Sequence, residues 1–318
     1  MVRLRGIKSR GATLSIVVLV LCGLLSSCGP DFNGLRVRIA AGTEGGVYYQ
    51  LATPLASAWA TQMGIEPPEV QMTAGSPDNV QRLKTGQADV GFSAADVAAN
   101  ANQPGAGPKF VALARIYDDY LHVVVRDDSP ITSIAMLRGR RVAVGSPDSG
   151  VEVIARKLVT TGLGSYNDVD HVNLGLTDAL NQLELKQVDA VFWSGGLPTK
   201  AIVDKNATTK LRLVDIGDVL PQLLRENEVY RTATIPASTY QLENSKPVTT
   251  LIVSNFLLVS SAMSDDEAEA LVRGLFDARP RLVAANRAAL SIDVRPAIET
   301  APLELHPGAL RYYRSIKP

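Results

Sequence analysis

The chain has 318 residues, room for about two domains of ordinary size. Its residues are 46% hydrophobic and 20% charged, with 32 bases (Lys and Arg) matched by 32 acids (Asp and Glu). That balance excludes a disordered chain and the basic excess of a nucleic-acid binder, so no nucleic-acid partner is expected.

Charge is unevenly placed along the chain. Residues 1–27 contain Arg3, Arg5, Lys8 and Arg10 and no acid, leaving residues 28–318 with 28 bases against 32 acids, a net of −4. After the basic start comes an apolar stretch over 12–25, then Ser26 and Ser27 before Cys28, the pattern of a secretory signal. As a helix this stretch would reach only ~21 Å, short of the ~30 Å hydrocarbon core, so a permanent transmembrane span is the weaker reading. Leu25-Ser26-Ser27-Cys28 resembles the bacterial lipobox, whose Cys becomes the lipid-modified first residue of the mature protein. Cys22 would leave with the signal, so the mature chain keeps one Cys, with no internal disulfide and no thiolate zinc site. We expect residues 1–27 to be a lipoprotein signal peptide, Cys28 to be lipidated and 28–34 to be a lipid-anchored linker. Several acyl chains would hold the protein on a bacterial membrane, on its extracytoplasmic side.

From Leu35 onward, short β-rich runs alternate with segments of helical period, the signature of βαβ units around mostly parallel sheets. Strands are expected at 36–40, 69–73, 90–92, 111–116, 122–125, 141–144, 190–192 and 211–214. Between them Leu51, Leu55 and Trp59 recur at intervals of four, as do Ile154 and Leu158, while Leu180 and Leu183 stand three apart, as core-facing helix stripes do. Pro54 should kink the first helix or displace its start, because it lacks the donor an interior turn requires.

Three expected strand-to-helix turns carry Gly and small hydroxyl residues: Gly42-Thr43-Glu44-Gly45-Gly46, Thr73-Ala74-Gly75-Ser76-Pro77 and Gly145-Ser146-Pro147-Asp148-Ser149-Gly150. Each can present free backbone N–H groups and the positive end of a helix dipole to an anion, or can be ordinary capping. Three such turns, each at the carboxyl end of a strand, lie where α/β sheets place ligands. Neither a dinucleotide fingerprint nor a P-loop is present, and no cofactor is expected.

Catalytic chemistry is not visible in the sequence. His122, His171 and His306 form no spaced metal pair, and no Ser sits in a Gly-x-Ser-x-Gly elbow. Asp118 with Asp119, and Asp265 with Asp266 and Glu267, are contiguous rather than opposed. Ser264 before the second group reads as a helix N-cap. We expect neither an enzyme nor a metal site. Trp59, Trp193, Tyr48, Tyr49, Tyr312 and Tyr313 are assigned to packing by default, with a cleft lining as the alternative.

Six segments, in order, carry a more specific signal. Gly42-Thr43-Glu44-Gly45-Gly46-Val47-Tyr48-Tyr49 resembles the opening motif of the TAXI family of solute receptors, which serve tripartite TRAP transporters. The resemblance continues through 73–79, Gly86-Gln87-Ala88-Asp89-Val90-Gly91, 137–150, Val188-Asp189-Ala190-Val191-Phe192 with Gly195-Gly196-Leu197-Pro198, and Leu305-His306-Pro307-Gly308-Ala309. It implies a type 2 periplasmic-binding-protein fold, two α/β lobes with a hinged ligand cleft, closing on a small solute, typically a carboxylate. We expect residues 35–118 with 252–318 to form lobe 1 and 119–251 lobe 2, with crossings near 117–125 and 248–255. Carried over by position, the ligand contacts are Thr43, Gly45, Gly46, Tyr48, Ser76, Asn79, Ser146, Ser149, Gly150 and Gly196, with Pro198 shaping the far wall. The implied partners are a small carboxylate or amino-acid solute and TRAP membrane subunits. The alternative is a lipoprotein of the same fold that senses a solute for a membrane signalling partner.

Several positions depart from the family pattern. Glu44 and Asp148 add negative charge beside the expected anion site, Ala94-Ala95 replaces a polar pair and leaves Asp96 without those neighbours, and Val151 replaces a common Thr. Two carboxylates at the cleft would repel a dianion by ~1 to 4 kcal/mol each at ~4 Å. They therefore favour a solute with a cationic or neutral polar part, unless both acids point to solvent as helix N-terminal residues.

Overall fold

The computed structural model describes residues 30–242 and 246–316, so the signal segment and Cys28 lie outside the described residues. The compact unit begins at Gly34. In chain order its regular elements are β1 (Arg38–Gly42), α1 (Val47–Met63), β2 (Glu69–Met72), α2 (Ser76–Lys84), β3 (Val90–Ala94), α3 (Ala95–Ala101) and β4 (Phe110–Arg126). Next come β5 (Arg141–Ala143), α4 (Gly150–Leu163), β6 (Asp170–Val172), α5 (Leu176–Glu184), β7 (Ala190–Gly195), α6 (Lys200–Asn206), β8 (Leu211–Leu213) and α7 (Leu220–Glu226). The chain continues through β9 (Tyr230–Ile235), β10 (Val248–Ser260), α8 (Asp265–Asp277), α9 (Arg279–Ala285), α10 (Val294–Ala297) and α11 (Pro307–Ser315).

The strands run in the order β2-β1-β3-β10-β4-β7-β5-β6, with β8 on β4 and β9 on β10. Each end of the sheet is a parallel βαβ series: β1 lies parallel to β2 and β3, and β5 lies parallel to β6 and β7. The two series are joined by the long antiparallel pair β4 and β10. β4 pairs with β10 from Phe110 to Tyr120, then with β7 from Tyr120 to Val124. β10 pairs with β9 over Val248 to Val253, then with β3 over Asn255 to Val259. β10 thus joins the series of β3, β4 joins the series of β7, and the two long strands pair with each other, giving a mixed α/β fold of two lobes.

The expected break between strands at 111–116 and 122–125 does not occur. Its polar middle, Tyr117-Asp118-Asp119-Tyr120, stays extended because the crossing supplies partners: Arg115 donates to Asp118 Oδ2 at 2.5 Å and Ser254 Oγ donates to Asp118 Oδ1 at 2.9 Å. Of the two outcomes expected of Pro54, a displaced helix start does not occur. Pro54 sits inside α1, which runs unbroken from an N-cap at Gly46. Pro in a helix interior costs ~3 kcal/mol, and burial outweighs it. Leu51, Leu55 and Trp59 are fully buried, each such side chain contributing ~1.5–3 kcal/mol, and Trp59 Nε1 donates to the Leu271 carbonyl of α8 at 2.9 Å. Ser264 caps α8 in a reciprocal capping box with Glu267.

Among the described residues no helix is long and apolar enough to cross a membrane.

Candidate functional site

All three glycine-rich turns join a strand's carboxyl end to a helix: β1 to α1, β2 to α2 and β5 to α4. Two need glycine for backbone reasons. Gly75 has φ 118° and Gly145 φ 95°, and a Cβ at Gly145 would stand 2.6 Å from Val151 Cβ. The N-caps of α1 and α2 are glycines, Gly46 and Gly75, with no side-chain capping bond, so their first-turn N–H groups keep hydrogen-bonding capacity for a ligand. Ser149 instead caps α4 by accepting from the Glu152 N–H at 3.3 Å.

These turns converge on a single cleft of about 120 Å³, below the ~300 Å³ floor of drug-sized sites, so it suits a small solute. Of the expected contacts, Thr43, Gly46, Tyr48, Ser76, Ser146, Ser149 and Gly150 line it. They come from both parallel series, and the two walls meet closely: a Cβ at Gly150 would lie 3.6 Å from Ser76 Oγ.

The structure places three expected contacts elsewhere. Asn79 is fully buried beneath the turns. Its Nδ2 donates to the carbonyls of Ala41 at 2.6 Å and Phe92 at 2.8 Å, while its Oδ1 accepts from Thr73 Oγ1 at 2.5 Å. With its amide saturated by protein, it ties β1, β2 and β3 together and is not a lining residue. Gly45 is exposed, and its carbonyl accepts from Gln50 Nε2 at 2.8 Å. Gly196 lies one residue past the cleft wall, which is made by Trp193, Ser194 and Gly195, and its carbonyl accepts from Thr199 Oγ1 at 3.0 Å. Pro198 is likewise outside the lining.

Glu44 and Asp148 are both exposed and outside the lining, so of the two readings left open for them the solvent-facing one holds. Asp96 finds distant partners in place of the missing polar pair. Its Oδ2 accepts from Tyr230 OH at 2.6 Å and lies 3.6 Å from Lys157 Nζ, which joins α3 to β9 and α4.

Three lining features were not anticipated. The turn Leu174-Gly175-Leu176 opens α5 with a third uncapped glycine N-cap, this one on the β5–β6 side; its weak signal was a Gly after the short strand holding His171. Ser194 lines the cleft with a buried Oγ that has no hydrogen-bond partner among the described residues. Asp119, at the crossing of β4 and β10, lines it too.

Around Asp119 the lining is polar and mostly buried. Tyr48 OH donates a short hydrogen bond to Asn255 Oδ1 and pairs with Ser76 Oγ at 3.2 Å. Its ring stacks on Phe92 at 5.2 Å and meets Tyr117 edge-on at 6.1 Å. Burial, reinforced by the Asp119 charge, pushes both phenols well above their usual range, so they remain neutral donors. Asp119 itself is pushed up to about 7: burial is the main cause, Asn255 and Tyr117 oppose it, and Asp118 and Asp96 add repulsion.

His122 and His306 have structural partners. Burial lowers His122 to about 4, and its Nε2 lies 2.7 Å from Tyr240 OH. His306 caps α11, its Nδ1 accepting from the Gly308 N–H at 3.0 Å.

The sequence pattern of the NMT1-like family matches residues 39–316. Among solved structures, XAC2383 from Xanthomonas citri bound to ATP is similar, with a TM-score of 0.53 and 17% identity over 89% of this chain and 99% of that one. The periplasmic aliphatic sulphonate binding protein SsuA from Escherichia coli gives 0.50 and 16%, covering 91% and 80% respectively. The GluR0 ligand-binding core in complex with L-glutamate gives 0.50 and 14%, covering 81% and 98%. At these identities the likeness is one of fold, that of the two-lobe periplasmic binding proteins.

Proposed function

This chain belongs to the NMT1-like family, a solute-binding family, and from that premise we propose an extracytoplasmic receptor that captures a small carboxylate or amino-acid solute between two lobes and delivers it to TRAP membrane subunits. The observation that carries the reading is the convergence of helix N-termini from both parallel series on one cleft. Gly46 and Gly75 bring α1 and α2 from one side, Ser149 and Gly175 bring α4 and α5 from the other. An anion bridging these tips makes all its contacts only when the walls approach, so binding favours the closed form by differential affinity.

The lobes of this reading are residues 35–118 with 252–318 and residues 119–251. Supporting this division, β4 changes partner from β10 to β7 at Tyr120, and β10 changes partner from β9 to β3 after Val253. Thr43, Gly46, Tyr48, Ser76, Ser146, Ser149 and Gly150 are the proposed contacts. Charge-assisted hydrogen bonds of ~1.5–3 kcal/mol each, four or five of them, supply the ~8 kcal/mol of micromolar affinity when the site is preorganised. Turns fixed by Asn79 and by the required glycines provide that condition.

Delivery to TRAP subunits rests on the TAXI-like motifs, and membrane attachment on the lipobox-like Leu25-Ser26-Ser27-Cys28. A thermal-shift panel of amino acids, monocarboxylates and dicarboxylates tests the receptor reading, since a ligand that binds the folded state raises its melting temperature. Stabilisation by at least one class is expected; a melting temperature unmoved by every class contradicts it.

A further inference from the structure

The cleft that receives helix tips also contains a group those tips do not explain. Asp119 is about nine-tenths buried, with 9% of its surface exposed, and its Oδ1 has no hydrogen-bond partner among the described residues. A second buried oxygen in the same lining, Ser194 Oγ, is also without a partner there. Strand pairing sets Ser194 opposite Leu121, two residues along β4 from Asp119, so both side chains stand on the same face of the sheet. Polar atoms in protein interiors are nearly always satisfied, and each exception calls for an account.

Charge in the lining is one-sided. Its ionisable side chains are Tyr48, Tyr117 and Asp119, with no Lys, Arg or His among the described residues that line it. The nearest other acids are committed elsewhere, Asp118 to Arg115 and Ser254 and Asp96 to Tyr230 and Lys157. A carboxylate thus sits at the strand crossing and several positive helix ends sit around it, so the cleft has two electrostatic poles. A dicarboxylate satisfies one pole and is repelled by the other. A group bearing several N–H donors and a positive charge fits the second pole, since an ammonium can donate to Asp119 Oδ1 and Ser194 Oγ together.

We propose that Asp119 and Ser194 form a cation subsite, so that the solute of this cleft carries a protonated amine as well as an anionic group. This deepens the receptor reading and rests on it. Glu44 and Asp148, being exposed, take no part.

Isothermal titration calorimetry of the purified chain tests the subsite with matched probes: L-amino acids, the des-amino and 2-oxo counterpart of each one that binds, succinate and glutarate as dicarboxylates, and taurine against ethanesulfonate to separate anion types. The expected result is that amine-bearing probes bind and that removing the amine weakens binding by about ten- to hundredfold. Asp119→Asn should abolish that difference, and Ser194→Ala should shrink it. Amine-free probes or dicarboxylates binding as tightly as their amine-bearing partners to the unmodified chain would overturn the subsite while leaving the receptor reading intact. An amine preference that survives Asp119→Asn would overturn it as well. Binding by no probe of any class would contradict the receptor reading itself and the subsite with it. The comparison of probes on the unmodified chain decides the matter even if a variant fails to fold.

Discussion

Asp119 is a site where ligand chemistry and folding energetics meet in one side chain. Its folded-state pKa of about 7 stands above the ordinary value of 3.8, so between those values the folded chain holds a proton that the unfolded chain releases. The sign follows by linkage: the penalty for burying the charge is absent below about pH 4, grows through the interval and is fully present above about pH 7. Asp119→Asn should therefore gain stability relative to the unmodified chain as pH rises from about 4 to 8, by at most ~4 kcal/mol, read from urea unfolding at a series of pH values. Parallel pH profiles for the two proteins would contradict this. Asn79 makes the opposite case, a residue expected at the ligand and found under it. Asn79→Ala strands the carbonyls of Ala41 and Phe92 and the Thr73 hydroxyl and should cost ~1–3 kcal/mol or more in unfolding free energy. Any loss of affinity would follow from loosened turns, and full stability with lost binding would contradict its placement. The small-residue turns were readable because glycine and hydroxyl side chains announce themselves in sequence. Asp119 was not, because its meaning depends on burial at a crossing between strands more than a hundred residues apart.

Elements were legible where their own residues dictate them. The α/β alternation, the capping at Ser264 and the parallel strands β1, β3, β5 and β7 follow from apolar runs and cap residues. β6 and β9 were not among the expected strands, because Asp170–Val172 and Tyr230–Ile235 carry few buried side chains, and pairing with β5 and β10 rather than their own hydrophobicity specifies them. β4 was half legible, its ends reading as strands, and β10 was expected only as a crossing near 248–255; their polar middles are tolerated because each supplies the other's partners. At the β5–α4 turn two substitutions separate shape from capping. Gly145→Ala combines a left-handed φ with the Val151 clash, so it should lower the melting temperature and weaken solute binding together. Ser149→Ala removes one N-cap bond and should cost ~1 kcal/mol of stability, with a further loss of affinity because Ser149 also lines the cleft. Chemical denaturation and calorimetry on both variants check this, and an unchanged affinity in Ser149→Ala would remove it from the contacts.

For the molecule as a whole, two parallel series are joined by β4 and β10, and the cleft lies where helix tips from both face one another. On the proposed receptor reading, closure is a rotation about the stretch where those strands change partners. Small-angle scattering should show a smaller radius of gyration with a saturating solute than without, and identical profiles would contradict closure on binding. Fold class was readable from the ordered motifs, whereas the charge of the cleft was left open at Glu44 and Asp148, because sequence shows which turn an acid belongs to but not which way it points. The most direct measurement is a crystal structure of the protein grown with the tightest-binding amino acid from the calorimetric panel. The account predicts a carboxylate within hydrogen-bonding distance of backbone N–H groups at the α1, α2 and α4 tips and an amine against Asp119. Solute bound outside this cleft, or seated in it with its amine turned away from Asp119, would contradict the account.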